Sequence, residues 1–428
     1  MTASAPSSNA PQPDTDTGSV YRNSSFLAFL IARVMAVFAT QVQAVVVAWQ
    51  VYDLTRSPMA LAWVGLAQFL PMLCLLLPAG DLIDRFARKP ILMSSWAVGA
   101  VSSALLWWLS GHGESGVRGI YAVLVLYGCS RAFSGPALQS LLPQIVPRSQ
   151  LAQAIAANGM LMRAATIGGP VVGGALYALG GGELTYLVCL ASFALGVALL
   201  TRVATLHAEP MAPVTGSMWQ RFGAGIHFIR TRPIILGTIS LDLFAVLLGG
   251  VVALLPIYAQ EVLHVGPEGL GALRSAMAVG EVGMGLYLSM HPFNRRVGTT
   301  MFAAVGVFGL ANLVFALSSW FWLSFAMLMV AGAADMVSVY IRGSLVQFST
   351  PDAMRGRVHA VNMLFIGSSN ELGEFRAGIS AAWLGTVPAA VLGSLCTLGV
   401  VGTWATAFTS LRKVNRFEDA ADSSSIPS

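Results

Sequence analysis

Five ionisable residues, Arg131, Asp242, Glu281, Asp335 and Glu371, sit inside long apolar runs of the chain. Charges are costly in hydrocarbon and seldom accidental there, so each marks a place where the protein needs one. Counting a rise of about 1.5 Å per helical residue puts these five near mid-depth of their runs. Arg33, Arg163, Arg274, Arg342, Glu374 and Arg376 also fall within apolar runs, several of them nearer the ends. Arg274 and Glu281 share a helix face, as do Asp335 and Arg342. The members of each pair stand about 10 Å apart, so every one of these groups needs another partner. Two chemistries fit. A buried carboxylate holds its proton more tightly, and a nearby arginine loosens it. Moving an acid between those surroundings couples proton release to the binding of a second ligand. The alternative is structural, with fixed ion pairs holding the molecule together.

The elements that carry these residues follow from composition. Of the 428 residues 56% are hydrophobic and 10% charged, and mean hydropathy is +0.71. A soluble protein of this length could not keep that much apolar surface from water. At roughly 20 residues per crossing, the chain has room for about twelve transmembrane helices. Their expected bounds are 26–51, 59–83, 90–110, 117–144, 150–179 and 184–205, then 233–260, 267–290, 297–317, 320–347, 357–384 and 386–411. The chain thus divides into a polar tail (1–25), an N-terminal half (26–205), a linker (206–232), a C-terminal half (233–411) and a second tail (412–428). In the linker, Trp219, Phe222, Ile226 and Ile229 recur at helical spacing, which predicts an amphipathic helix at the membrane surface.

Lysine and arginine set the orientation. With the N-terminus inside, the inner segments hold sixteen of them and the outer loops only Arg56 and Arg118, which predicts both termini in the cytoplasm. The net charge of +5 is accordingly read as topology, with no nucleic-acid partner. Cys74, Cys129, Cys189 and Cys396 stand singly in apolar runs, as packing residues and not as metal ligands. A shift of about 204 residues pairs Asn158 with Asn362, Gly169 with Gly373 and Gly174 with Gly378, and sets Arg131 opposite Asp335. That is a weak internal repeat, and it suggests two halves of six helices.

Between the second and third spans lies GDLIDRFARKPIL, a tight basic reversal with Gly80, Leu82, Asp84, Arg85, Arg88 and Lys89. It resembles the G-x-L-x-D-R-x-G-R-K loop of the major facilitator superfamily, with Ala87 in place of the second glycine. RAFSGP (from Arg131) is similar to the superfamily's R-x-x-x-G motif in its fourth helix. IGGPVVGG, with Gly169, Pro170, Gly173 and Gly174, is similar to the fifth-helix motif of proton-coupled antiporters. The second-half counterpart of the basic loop, HPFNRRVG, keeps Arg295 and Arg296 but no aspartate. WQVYDLTRSP, LLPIYAQEVLHVGPEGLG and TPDAMRGRV resemble the branch that includes the enterobactin exporter and related drug exporters. The resemblance covers about residues 25–411 and implies an all-α membrane protein, twelve helices in two pseudo-symmetric halves around a central cavity. It also implies that the Asp84 loop latches the halves together on the cytoplasmic side.

The function expected is secondary active export, driven by the proton gradient, of a siderophore, drug or similar amphipathic organic compound across a bacterial inner membrane. Gln41, Gln43, Gln68, Asn158, Phe244, Tyr340 and Asn370 are candidates for the cavity wall, where amides and aromatics would suit such a compound. The expected partners are the small substrate, protons and membrane lipid, with a monomer as the working unit. An importer or facilitator of the same fold, or a membrane sensor, are the alternatives. The sequence has no Walker loop, no metal-spaced His/Cys cluster and no soluble domain for catalysis. An enzyme and an ATP-driven pump are therefore not expected, and no cofactor is.

Overall fold

The computed structural model describes residues 20–205 and 218–419. The described residues are almost wholly helical: α1 (Ser24–Thr55), α2 (Pro58–Arg85), α3 (Arg88–Ser110), α4 (Val117–Ile145) and α5 (Leu151–Thr201) precede the linker. After it come α6 (Met218–Arg230), α7 (Pro233–Gly249), the short α8 (Leu255–Ile257), α9 (Pro267–Met290), α10 (Val297–Leu317), α11 (Phe321–Phe348), α12 (Asp352–Leu384), α13 (Thr386–Ala407) and α14 (Thr409–Lys413). Helix α5 is two spans joined by a reversal. Gly180 and Gly181 leave helical geometry, Gly181 at φ 61, a left-handed value that a side chain would resist, so 151–179 and 182–201 run separately. Counting those arms apart, the described residues supply twelve segments of membrane length. Three of the long helices, α4, α9 and α12, are not apolar enough to rank as spans by composition. They are the ones that carry Arg131, then Arg274 with Glu281, then Glu371 with Glu374.

The two halves repeat each other through their glycines. Gly169 of α5 packs on Gln41 and Phe38 of α1, and Gly373 of α12 packs on Val246 and Leu247 of α7. Gly174 reaches the backbone of Pro267 in α9, and Gly378 that of Ala62 in α2. Gly128 and Gly332, also 204 apart, bring α4 onto α2 and α11 onto α9. Each close approach favours a residue without Cβ, because the neighbour is backbone or, for Gly169 and Gly378, a Cβ fixed to it.

Burial shows where the halves meet. One core lies wholly in the first half, from Phe26 to Val203. A second crosses the boundary, packing Val45, Trp49, Tyr52 and Leu61 with Leu254, Tyr258, Leu273, Phe315 and Ala381. It lies towards the face where α1 ends. The face where α1 begins, called the basic face here for its lysines and arginines, has no such shared core among the described residues. Two antiparallel seams explain the asymmetry. In the first, Gly174 meets Pro267, Gly271 meets the Pro170 carbonyl, and the Ser275 hydroxyl donates to the Ile167 carbonyl at 2.7 Å. In the second, Gly378 meets Ala62, Gly65 meets Glu374, and Trp63 and Phe375 lie edge to face at 6.1 Å. Continued towards the basic face, the same registers reach Ile155, Met160, Leu286 and Met363, all of them exposed. The seams are zipped at one face and parted at the other.

The linker helix α6 packs its apolar stripe on protein. Its Phe222, Ile226 and Ile229 pack against Ile235 of α7 and Val358 and Val361 of α12, and Gly225 rests on the Arg357 backbone. Protein covers the apolar stripe that the pattern assigned to lipid. The side chains of Trp219 and Arg221 lie outside the described residues.

Candidate functional site

A cavity of about 340 Å³ occupies the middle of the molecule, between the halves. Helix α1 supplies Thr40, Gln41 and Gln43, α2 supplies Gln68, and α4 supplies Tyr127 and Arg131. From the other half come Arg274, Met277 and Glu281 of α9 and Glu371 and Glu374 of α12. Arg131 bridges the boundary. Its guanidinium lies 3.5 Å from the Glu371 carboxylate and donates to Gln68 Oε1 at 3.5 Å. The side chains are 33% and 19% exposed, so this pair can be reached and broken. Arg274 stands in the same cavity as both glutamates, and its Nε has no hydrogen-bond partner. Two arginines and three carboxylates therefore share one space, with more than one way of pairing. Gln43 accepts from Ser103 Oγ at 2.9 Å and leaves its Nε2 unbonded, and Thr40 and Tyr127 hydroxyls lie 2.9 Å apart. The wall is thus polar and aromatic, with spare hydrogen-bonding capacity.

Beside this cavity, inside the second half, is a chamber of about 250 Å³ that shares Met277, Glu281 and Glu374 with it. Asp335 and Asn370 line this chamber. A third, more apolar cavity of about 540 Å³ is the parted seam itself. Phe69, Leu73, Leu76, Gly80 and Ile83 of α2 face Gly356, Ala360, Met363, Leu364 and Gly367 of α12 across it, and Arg131 stands at its inner end.

At the face opposite, the halves are tied by polar contacts as well as by core. The Tyr52 hydroxyl donates to Glu261, and Arg56 reaches Gln260 Oε1 at 2.6 Å while pairing with Asp53 at 2.7 Å. Glu261 and Gln260 stand on a π-helical turn, Tyr258–Val262, which lets that segment bulge towards α1.

Several residues singled out from the sequence lie elsewhere. Asp242 lines none of these cavities. It pairs with Arg342, both side chains almost fully buried between α7 and α11, which fits the structural reading of an intramembrane charge. Phe244 packs at a tilt against Trp404 at 5.2 Å, and Tyr340 packs between Phe293 and Phe417 at 5.6 and 5.9 Å. Neither reaches a cavity, because each faces an aromatic partner within its own half. Asn158 is buried on α5 away from the three cavities, with its Oδ1 unbonded. In the basic loop, Lys89 Nζ donates to the Thr201 and Val203 carbonyls at 3.0 and 2.7 Å, and Arg88 Nη1 to the Ser140 carbonyl at 3.3 Å. Lys89 thus serves the C-terminal end of α5, where carbonyls lack helical partners, and Arg88 reaches the last turns of α4. The side chains of Asp84 and Arg85 lie outside the described residues. Arg376 has a related duty: it donates to the Leu247 and Gly250 carbonyls at 3.1 and 3.5 Å, where α7 ends inside the membrane.

Arg274 and Glu374 belong to the site although depth counting set them aside. Their signal was spacing: Glu374 is three residues from Glu371, on the same helix face.

The family model for transmembrane secretion effectors matches residues 16–427. Among characterised proteins, the multidrug efflux pump Tap of Mycobacterium tuberculosis is 29% identical over 381 residues, covering 83% of this chain and 87% of that one. The enterobactin exporter of Citrobacter koseri is 25% identical over 354 residues, covering 79% and 80%. Among solved structures, a bacterial homologue of the iron transporter ferroportin in its inward-facing state superposes with a TM-score of 0.69. It is 17% identical and covers 92% of this chain and 100% of its own. A bacterial homologue of the lysosomal transporter Spinster, inward-facing and occupied, gives 0.66 at 15% identity, covering 92% and 97%.

Proposed function

We propose that this chain, which belongs to the transmembrane secretion effector family of the major facilitator superfamily, exports an amphipathic organic compound in exchange for protons. That it is a transporter and not an enzyme follows from the family and its relatives. One observation carries the finer reading: a charged cleft between the halves, with Arg131 and Arg274 facing Glu371 and Glu374, parted at the basic face and sealed at the other. The distribution of lysine and arginine supports a cytoplasmic basic face. The protein then takes its substrate from the cytoplasmic side.

Export proceeds by parting the Tyr52–Glu261 face and zipping the α2–α12 and α5–α9 seams at the basic face. A substrate that binds both forms equally shifts nothing, so coupling needs a group whose ligand changes with the state. The exchangeable pairs supply it. A proton on Glu371 releases Arg131 to Gln68 or to an anionic substrate group, and loss of that proton restores the pair. The amides and the Tyr127 and Met277 side chains suit an aromatic, amphipathic body. The relatives' names, an enterobactin exporter and a multidrug pump, agree with that class. A single chain holds every residue invoked, which supports a monomer as the working unit.

The test is accumulation of a fluorescent lipophilic compound in everted membrane vesicles energised by a proton gradient, comparing wild type with Arg131→Gln and Glu371→Gln. Uptake that collapses with an uncoupler and in both variants supports the reading. Uptake indifferent to the uncoupler contradicts proton exchange.

A further inference from the structure

The side chamber in the second half is chemically unlike the main cavity it adjoins. Its walls hold three carboxylates, Glu281, Asp335 and Glu374, and two amides, Asn312 and Asn370, with no lysine or arginine. The nearby arginines are engaged or outside it. Arg376 is bound to the Leu247 and Gly250 carbonyls, Arg342 pairs with Asp242, and Arg131 and Arg274 face the main cavity. Arg163 of α5 acts on Glu281 from the opposite half. The chamber itself is walled by carboxyls and amides, with no cationic side chain in its lining.

Acidic walls alone would not define a site, but Asn312 adds an independent sign. It is fully buried, lines the chamber from α10, and neither its amide oxygen nor its amide nitrogen has a hydrogen-bond partner. Burying an amide unpartnered costs as much as a lost hydrogen bond, so its donor and acceptor are left for an occupant. Size limits what that occupant is. Water takes roughly 30 Å³ apiece in the liquid, and 250 Å³ is several times what one bare cation needs. An aminoalkyl arm fits. Met277, Glu281 and Glu374 line both spaces, so the chamber adjoins the aromatic and amide wall where an apolar body would lie.

We propose that this chamber is a subsite for a protonated amine carried by the transported compound. Asp335 is its counter-ion, and the Asn312 amide oxygen accepts one of its N–H bonds. The inference rests on the transporter reading and narrows it: the substrates are cationic amphiphiles, with the amine in the second half and the body between the halves. Asp335 occupies in the second half the position that Arg131 holds in the first, so the repeat places a carboxyl where the other half has a cation.

The test uses the purified full-length protein in detergent with two probes of one skeleton, dansylcadaverine, which carries a primary ammonium, and its N-acetylated neutral form. Binding is read from dansyl fluorescence. A charge-assisted hydrogen bond and an ion pair predict that the ammonium probe binds about tenfold tighter or better. Asp335→Asn and Asn312→Leu should each cut that preference to about threefold or less while the neutral probe binds as before. Asn312→Ser serves where Asn312→Leu proves too bulky to fold, as judged by thermal melting. Equal affinity for the two probes in the wild type overturns the proposal, and so does a preference that survives in all these variants. Displacement of the amine by millimolar sodium, with choline inert, overturns it in favour of an inorganic cation. Uptake of either probe into everted vesicles tests the transporter reading separately. Flux without amine preference refutes the chamber alone, and amine preference without flux supports the subsite while counting against transport.

Discussion

Replacing Gly271 by alanine tests whether the zipped seam belongs to one state of a cycle. A Cβ at this position runs into the Pro170 carbonyl and the Val171 Cα across the boundary between the halves. Backbone cannot rotate away, so α5 and α9 must separate locally. Overpacking of this kind costs about 1–3 kcal/mol. In an alternating cycle that contact exists only while the face opposite the basic one is sealed, so the cost falls on one state. The equilibrium should move roughly 5- to 150-fold towards the form zipped at the basic face. Spin labels at Ile155 and Leu286 report it, because these exposed residues lie on the continued α5–α9 register and would approach when that face closes. The background must lack Cys74, Cys129, Cys189 and Cys396. Double electron–electron resonance should show a short-distance population rising in Gly271→Ala. Gly128→Ala is the matched control, since its Cβ meets the Gln68 backbone within the first half, a contact present in both states. It should lower the melting temperature and leave the distances alone. A folded Gly271→Ala protein with the wild-type distance distribution would refute the reasoning.

Other substitutions separate structural from functional charges. Asp242→Asn strands Arg342 in a buried site and should cost about 3–5 kcal/mol, seen as a large drop in melting temperature, with the double variant Asp242→Asn/Arg342→Met recovering most of it. Recovery of stability without recovery of transport would show that Asp242 does more than hold α7 to α11. Arg131→Gln should leave melting within a few degrees, because its partner Glu371 is partly exposed, yet abolish proton-linked uptake. Tyr52→Phe removes a hydrogen bond to a carboxylate, about 1.5–3 kcal/mol, and should raise the reactivity of a cysteine placed at Gln41 towards a reagent added from the Tyr52 face. Unchanged reactivity would mean that the apolar core alone seals that face.

Much of the architecture could be read from the chain because the bilayer allows few solutions. Apolar length marked most of the helices, and Gly169, Gly174, Gly373 and Gly378 betrayed the repeat through their close contacts. The site was half legible. Arg131, Glu281, Asp335 and Glu371, counted to mid-depth of their helices, stand in or beside the central cavity. Depth says nothing about azimuth. Asp242 is equally deep but turned into its own half towards Arg342, and Phe244 and Tyr340 face aromatic neighbours. Arg376 looked like a stray intramembrane charge until the structure showed α7 ending beneath it with free carbonyls. Of the chamber's polar walls the sequence marked Glu281, Asp335, Asn370 and Glu374 singly but neither Asn312 nor their meeting, since the walls come from five separate segments.

The most direct measurement is proton movement in proteoliposomes containing the purified protein, an interior pH dye and an imposed pH gradient, as cationic amphiphiles and siderophores are added in turn. The account predicts a substrate-dependent proton flux that disappears in Glu371→Gln and persists in Asp242→Asn once that protein is folded. Proton flux indifferent to every substrate, or flux that survives Glu371→Gln and fails only with Asp242→Asn, would contradict it.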